Sequence, residues 1–153
     1  MEFLTNLHPI IVHFPIAFFV AFFLLEVVSF FMKKEMIFNW ATFTLGAGVA
    51  TALIAALTGN QSHEYLKPVL KSKPALVEQL INNHEQFATF TLWFFAAIFV
   101  LRIYLLLKKK FSLKWKALFL VFAIVGLYFI YQTGTLGGKL VFDFGVGTKL
   151  FSE

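Results

Sequence analysis

The chain has 153 residues, room for one domain; 59% are hydrophobic, 14% are charged and the formal net charge is +5. A soluble fold of this size cannot hide that much apolar surface, so the 22 phenylalanines require lipid as the solvent they face. The absence of cysteine excludes disulfides, cysteine-held iron–sulfur clusters, covalent c-type haem and thiol nucleophiles. Most basic residues sit beside apolar runs, so the positive balance reads as membrane topology and not as a nucleic-acid surface.

The first apolar run, 9–31, is interrupted only by His13, Glu26 and Ser29 and ends at Lys33 and Lys34. It is too long for a signal-peptide core and lacks a basic leader and a small-residue cleavage site, so a retained span is expected. Pro9 suits a first helical turn with His8 near the cap, whereas Pro15 releases the carbonyl of Ile11 and bends the helix, which would aim His13 into the bundle. Glu26 lies about 26 Å along the helix from Pro9 and is expected to snorkel toward Lys33 or Lys34 near the cytoplasmic end.

The second span is expected at 38–58, where Gly46 with Ala50 and Gly48 with Ala52 form small-residue stripes for helix contact. A 59–86 loop follows, carrying Pro68 and Pro74. From Pro74 the pattern Leu76, Leu80, Phe87 predicts a helix on or near the surface that leads into the third span and helps to fix His84. Spans three and four are expected at 87–107 and 115–131, each near the ~20 residues a bilayer core requires. Beyond them Gly134, Gly137, Gly138, Gly145 and Gly147 should break any helix, and Leu140 to Phe144 reads as an extended or irregular tail folded over the outer face. Amides freed there, with Lys139, could neutralise an anionic group such as a haem propionate; an ordinary capping loop is the simpler account.

The links 32–37 and 102–116 hold eight of the thirteen Lys and Arg residues. That side should be cytoplasmic, with both termini and the 59–86 segment outside. Trp40 precedes Thr58-Gly59 by eighteen residues and Trp115 precedes Thr133-Gly134 by eighteen, while His8 and His84 precede those tryptophans by thirty-two and thirty-one. The expected architecture is therefore an all-α membrane protein of four transmembrane helices, built as two tandem hairpins about a pseudo-two-fold axis along the membrane normal.

This topology gathers all four histidines, His8, His13, His63 and His84, at the outer surface. On a regular helix His8 and His13 would point about 140° apart and could not share one small ion. Small residues continue the faces of His13 (Ala17, Ala21) and His84 (Ala88, Thr91), which permits close helix contact or room for a flat cofactor. A histidine pair from facing helices can hold haem iron, and neutral imidazole also suits zinc or copper. Zinc would want three or four close ligands, and the nearby carboxylates, Glu64 and Glu85, read as solvated charges.

Three functions stay open. The first is a b-type haem protein with His13 and His84 as axial ligands and His8 as substitute, kept dry by Phe14, Phe87 and Trp93, that passes electrons between a periplasmic carrier and the membrane pool. The second is a zinc or copper site drawn from His8, His13, His63 and His84. The third is a structural subunit of a larger membrane complex without a cofactor. Catalysis has little support, since no ordered serine, histidine and carboxylate set, paired carboxylate site or phosphate loop is present. Transport lacks a clear charged pathway through the spans.

Leu7-His8-Pro9 followed by Val12-His13-Phe14-Pro15, the Thr-Gly closing span two, His84 opening span three, and Gly137-Gly138-Lys139-Leu140-Val141 leading to Gly145-Val146-Gly147 resemble the bacterial membrane family named domain of unknown function 2231. The resemblance covers nearly the whole chain, and His63 is the histidine that its pattern does not place. It implies residence in the bacterial inner membrane. Relatives joined to Rieske-type or cytochrome-type modules imply membrane electron transfer.

Overall fold

The computed structural model describes residues 2–32, 35–110 and 112–148, with side chains from Leu7 onward. Among them there is no strand. The helices are α1 (Glu2–Ile11), α2 (His13–Phe31), α3 (Glu35–Leu70), α4 (Ala75–Leu107) and α5 (Leu113–Phe142). Four stretches are long and apolar enough to cross a bilayer: Leu7–Phe31, which joins the end of α1 to α2, and the whole of α3, α4 and α5. Lys33 and Lys34 fall outside the described residues.

The break between α1 and α2 falls at Val12, where Pro15 has no N–H to offer the Ile11 carbonyl. Pro9, however, does not open the helix. It lies inside α1, which already begins at Glu2, so His8 is a helical residue and not a cap.

Two helices, α3 and α5, run well past their expected ends, while α4 starts at Ala75, as the pattern from Pro74 predicts. The expected 59–86 loop is a helical hairpin in which α3 continues to Leu70, a short turn closes with Ser72 N–H on the Val69 carbonyl (3.1 Å) and Lys73 N–H on that of Leu70 (3.0 Å), and α4 begins at Ala75. Its residues are too polar for lipid, but they bury a small core of their own: Leu66, Leu70, Val77 and Ile81 pack with Leu140. The same contact corrects the expected break in the tail. α5 continues through Gly134, Gly137 and Gly138 to Phe142, because burial of Leu140 offsets a glycine cost of about 1 kcal/mol per helical position. The chain turns only at Gly145 and Gly147, whose φ values of 67° and 83° belong to the left-handed region that glycine tolerates. Phe144 and Val146 then fold back onto this small core.

Within the bundle α2 and α4 each pack against both α3 and α5, while the backbones of α2 and α4 stay apart. Side chains cross that diagonal. Phe19 stacks on Phe95, Phe22 meets Phe95 edge-on, and the main core forms around them with Ala41, Leu45, Ile98, Leu105, Phe119 and Ala123. The buried residues of α2 are Pro15, Phe19, Phe22, Glu26 and Ser29. Adding 76 to each number gives Thr91, Phe95, Ile98, Arg102 and Leu105, the buried residues of α4 within the bundle. The same addition turns His8 into His84.

Two charges are not where the sequence suggested. Glu26 does not snorkel; it is buried, with Oε1 2.6 Å from Nη1 of Arg102. Arg102, counted above with the basic link, is fully enclosed in α4. A long flexible side chain reaches water only when its own helix face turns outward, and both residues lie on the faces that meet.

Candidate histidine site

His8 stands on α1 and turns its ring onto α3. Its Nδ1 lies 3.1 Å from Oγ1 of Thr58. That hydroxyl is positioned to donate to the carbonyls of Ile54 (3.1 Å) and Ala55 (3.0 Å), so it accepts from His8, and Nδ1 carries the proton. The ring lies against Gly59, where a Cβ would come 2.9 Å from Cε1.

His84 repeats the arrangement between α4 and α5. Its Nδ1 lies 3.1 Å from the backbone carbonyl of Thr133, a group that can only accept, so Nδ1–H donates here as well. The ring lies against Gly137, where a Cβ would come 3.1 Å from Cε1. Thr133 Oγ1 meets Thr91 Oγ1 at 3.2 Å and donates to the Phe129 carbonyl at 2.9 Å. In neutral imidazoles held this way Nε2 keeps its lone pair. His8 and His84 are both half-buried.

The remaining histidines have other surroundings. His13 lies on the outside of the bundle, since two residues of helix turn it about 200° from buried Pro15. His8, and not His13, is therefore turned inward, as His84 is. His63 Nδ1 pairs with Glu85 Oε1 at 2.8 Å, which ties α3 to α4 at the foot of the helical hairpin. Glu64 is exposed beside Lys67, a solvated charge as expected, whereas Glu85 is half-buried and engaged by His63. Lys139 is helical and exposed, and of the three expected shielding aromatics Phe14 and Trp93 face outward while Phe87 is half-buried. Among the described residues no group of three or more His, Asp or Glu side chains is placed to hold a metal ion.

The sequence marked both Thr-Gly pairs as landmarks but not as contacts of histidine. For Thr58-Gly59 the signal was present in the spacing. For the second half it was misleading, because Thr133 acts through its carbonyl and the glycine beneath the ring is Gly137, one turn beyond Gly134.

A family model described as a predicted membrane protein, DUF2231, matches residues 4–150. The chain belongs to this family. No curated protein and no solved structure matches it.

At the opposite end of the bundle this DUF2231 protein holds a second polar cluster. Arg102 donates from Nε to Thr42 Oγ1 (2.8 Å) and from Nη2 to the Phe38 carbonyl (3.3 Å). The rings of Phe38, Phe119 and Phe22 lie 4.2, 5.0 and 5.7 Å from its guanidinium carbon, distances at which an aromatic face stabilises a cation. Lys116 Nζ donates to the Ser29 carbonyl at 3.2 Å. Every one of these contacts joins two different helices.

Proposed function

We propose that this DUF2231 chain is a b-type haem protein of the bacterial inner membrane that serves electron transfer, with His8 and His84 as the axial ligands. One observation carries the proposal. Two half-buried imidazoles from different helices each engage a neighbouring helix through Nδ1, and with Nδ1–H as the donor Nε2 is the nitrogen that keeps a lone pair. Metal-binding histidines are characteristically held in this way, because the second hydrogen bond fixes both tautomer and ring orientation.

The donor set suits haem. Axial coordination asks for two neutral nitrogens, whereas a closed zinc site asks for three or four ligands together, a grouping that the described residues do not offer. Haem, when bound, supplies one-electron exchange. The chain's own residues do the rest: Thr58 and the Thr133 carbonyl orient the rings, and Gly59 and Gly137 leave room for them. The lysine-rich links belong on the cytoplasmic side by the distribution of basic charge. That orientation turns the histidine end toward a periplasmic electron carrier or a larger membrane complex.

The test is the visible spectrum and metal content of protein purified from haem-replete cells. A haem spectrum that sharpens on reduction is expected, lost in His8→Ala and in His84→Ala and retained in His13→Ala. A colourless preparation overturns the proposal. Copper without porphyrin would leave the imidazole pair as a copper site and end the haem assignment.

A further inference from the structure

We propose that Glu26 and Arg102 are a pairing code. The two hairpins, α2–α3 and α4–α5, are copies of one unit, and the opposite charges make the first accept the second and refuse a second copy of itself. The inference does not depend on the haem assignment.

When two copies of a unit pack about a two-fold axis, a residue on the axis meets its own equivalent. The chain keeps that relation at two levels of the diagonal between α2 and α4. Phe19 stacks on Phe95 at 3.7 Å, and Glu26 meets Arg102 at 2.6 Å; each pair is separated by 76 in number. The first pair is of identical residues. The second is where the copies have opposite charge, and it is buried.

That location matters because apolar faces in lipid do not choose partners: acyl chains are as apolar as the faces, so helix selection rests on packing and polar contacts. Phe19 and Phe22 on one hairpin resemble Phe95 and Ile98 on the other, and would pack against their own kind. Two Arg102 side chains would instead meet as like charges inside the bilayer, and two Glu26 carboxyls could meet only after taking up a proton, without the cation that the pair supplies.

Among the described residues, the hydrogen bonds around the pair run in one direction. Arg102 and Lys116, from the second hairpin, supply the donors, and Glu26, the Ser29 carbonyl, Thr42 and the Phe38 carbonyl, from the first, supply the acceptors. By the spacing of 75 that relates Trp40 to Trp115, the counterpart of Thr42 is Ala117 and that of Lys116 is Ala41. In side chains each hairpin thus lacks what its partner presents, while the two carbonyl acceptors have backbone counterparts in the other half. A single buried polar residue that sets partner and register is the best-attested use of such groups in packed helices.

The chain's lack of cysteine permits a direct test. A single-cysteine variant, Phe22→Cys, places a thiol at a fully buried site where disulfide-linked dimers form only if two first hairpins pair. With Glu26 and Arg102 present, the full-length protein in membranes should stay uncross-linked. With Glu26→Leu and Arg102→Leu added, 22–22 dimers should rise at least fivefold. Equal, low cross-linking in both backgrounds overturns the proposal. So does failure of the double-leucine chain to accumulate, because the pair would then be needed for stability and not for choice. In a second arm, Arg102→Glu and Glu26→Arg chains should each accumulate at no more than a tenth of the normal level alone and recover when co-expressed, since exchanged hairpins restore both pairs. No recovery overturns it.

Discussion

Phe19 and Phe95 lie ring on ring, 3.7 Å between centroids and 7° from parallel, and each ring occupies the space in front of a glycine on the next helix. A Cβ at Gly48 would come 2.5 Å from Cε1 of Phe19, and one at Gly126 would collide with Cζ of Phe95. The rings cannot retreat, because each blocks the other.

Gly126→Ala should therefore destabilise the bundle by about 1–3 kcal/mol, the usual cost of overpacking. Gly134→Ala makes the contrast: nothing lies within 4 Å of a Cβ there, and alanine gains about 1 kcal/mol over glycine inside a helix. Thermal unfolding in one detergent should show Gly126→Ala melting several degrees below the parent and Gly134→Ala at or above it. Equal melting of the two variants would mean that the Phe95 ring has somewhere to go.

The two histidines should respond differently to loss of their threonines. Thr58→Ala removes the acceptor of His8 Nδ1–H, a loss of about 1 kcal/mol, and should shift the ¹⁵N resonances of His8 toward a mixture of tautomers. Thr133→Ala removes a hydroxyl but leaves the carbonyl that His84 uses, so the His84 resonances should hold. If Thr133→Ala disturbs His84 as strongly as Thr58→Ala disturbs His8, the assignment of that bond to the backbone is wrong.

Pro15 should govern where α1 goes. With Pro15→Ala, an N–H becomes available to the Ile11 carbonyl, the break at Val12 can close and α1 can follow the axis of α2 instead of packing on α3. Spin labels on α1 and on the neighbouring end of α3 should then move apart by several ångströms, and the His8–Thr58 bond should be lost. An unchanged distance would assign the break to tertiary packing alone.

Much of the fold could be read from the sequence, because span length and apolar continuity are local properties that lipid enforces. The helix ends were misjudged where a non-local contact decides them: Leu140 is held by Leu66, Leu70, Val77 and Ile81, and nothing near Gly134 or Gly137 signals that the helix survives. The bend at Pro15 was local and was legible. A helix distorted at Pro15 predicts an inward His13, whereas the distortion instead carries His8 onto α3. Arg102 was obscured by its neighbours, since a basic residue six positions before Lys108 reads as part of a lysine-rich link until the face it shares with Phe95 and Ile98 is seen. Its partner Glu26 stands out as a charge inside a span, but polarity alone does not say that a carboxylate will choose a cation on another helix over the lysines that follow it.

The helical hairpin that rises from α3 and α4 restricts how a visitor can arrive. From Thr58 to Leu70 α3 travels about 18 Å beyond the level of His8, with α4 beside it and the end of α5 leaning on both. A large protein descending along the membrane normal would strike the tip of this tower first and come to rest well above the imidazoles. A visitor that reaches them must come from the flank, which favours a slim one or one already anchored in the same bilayer that meets the protein sideways.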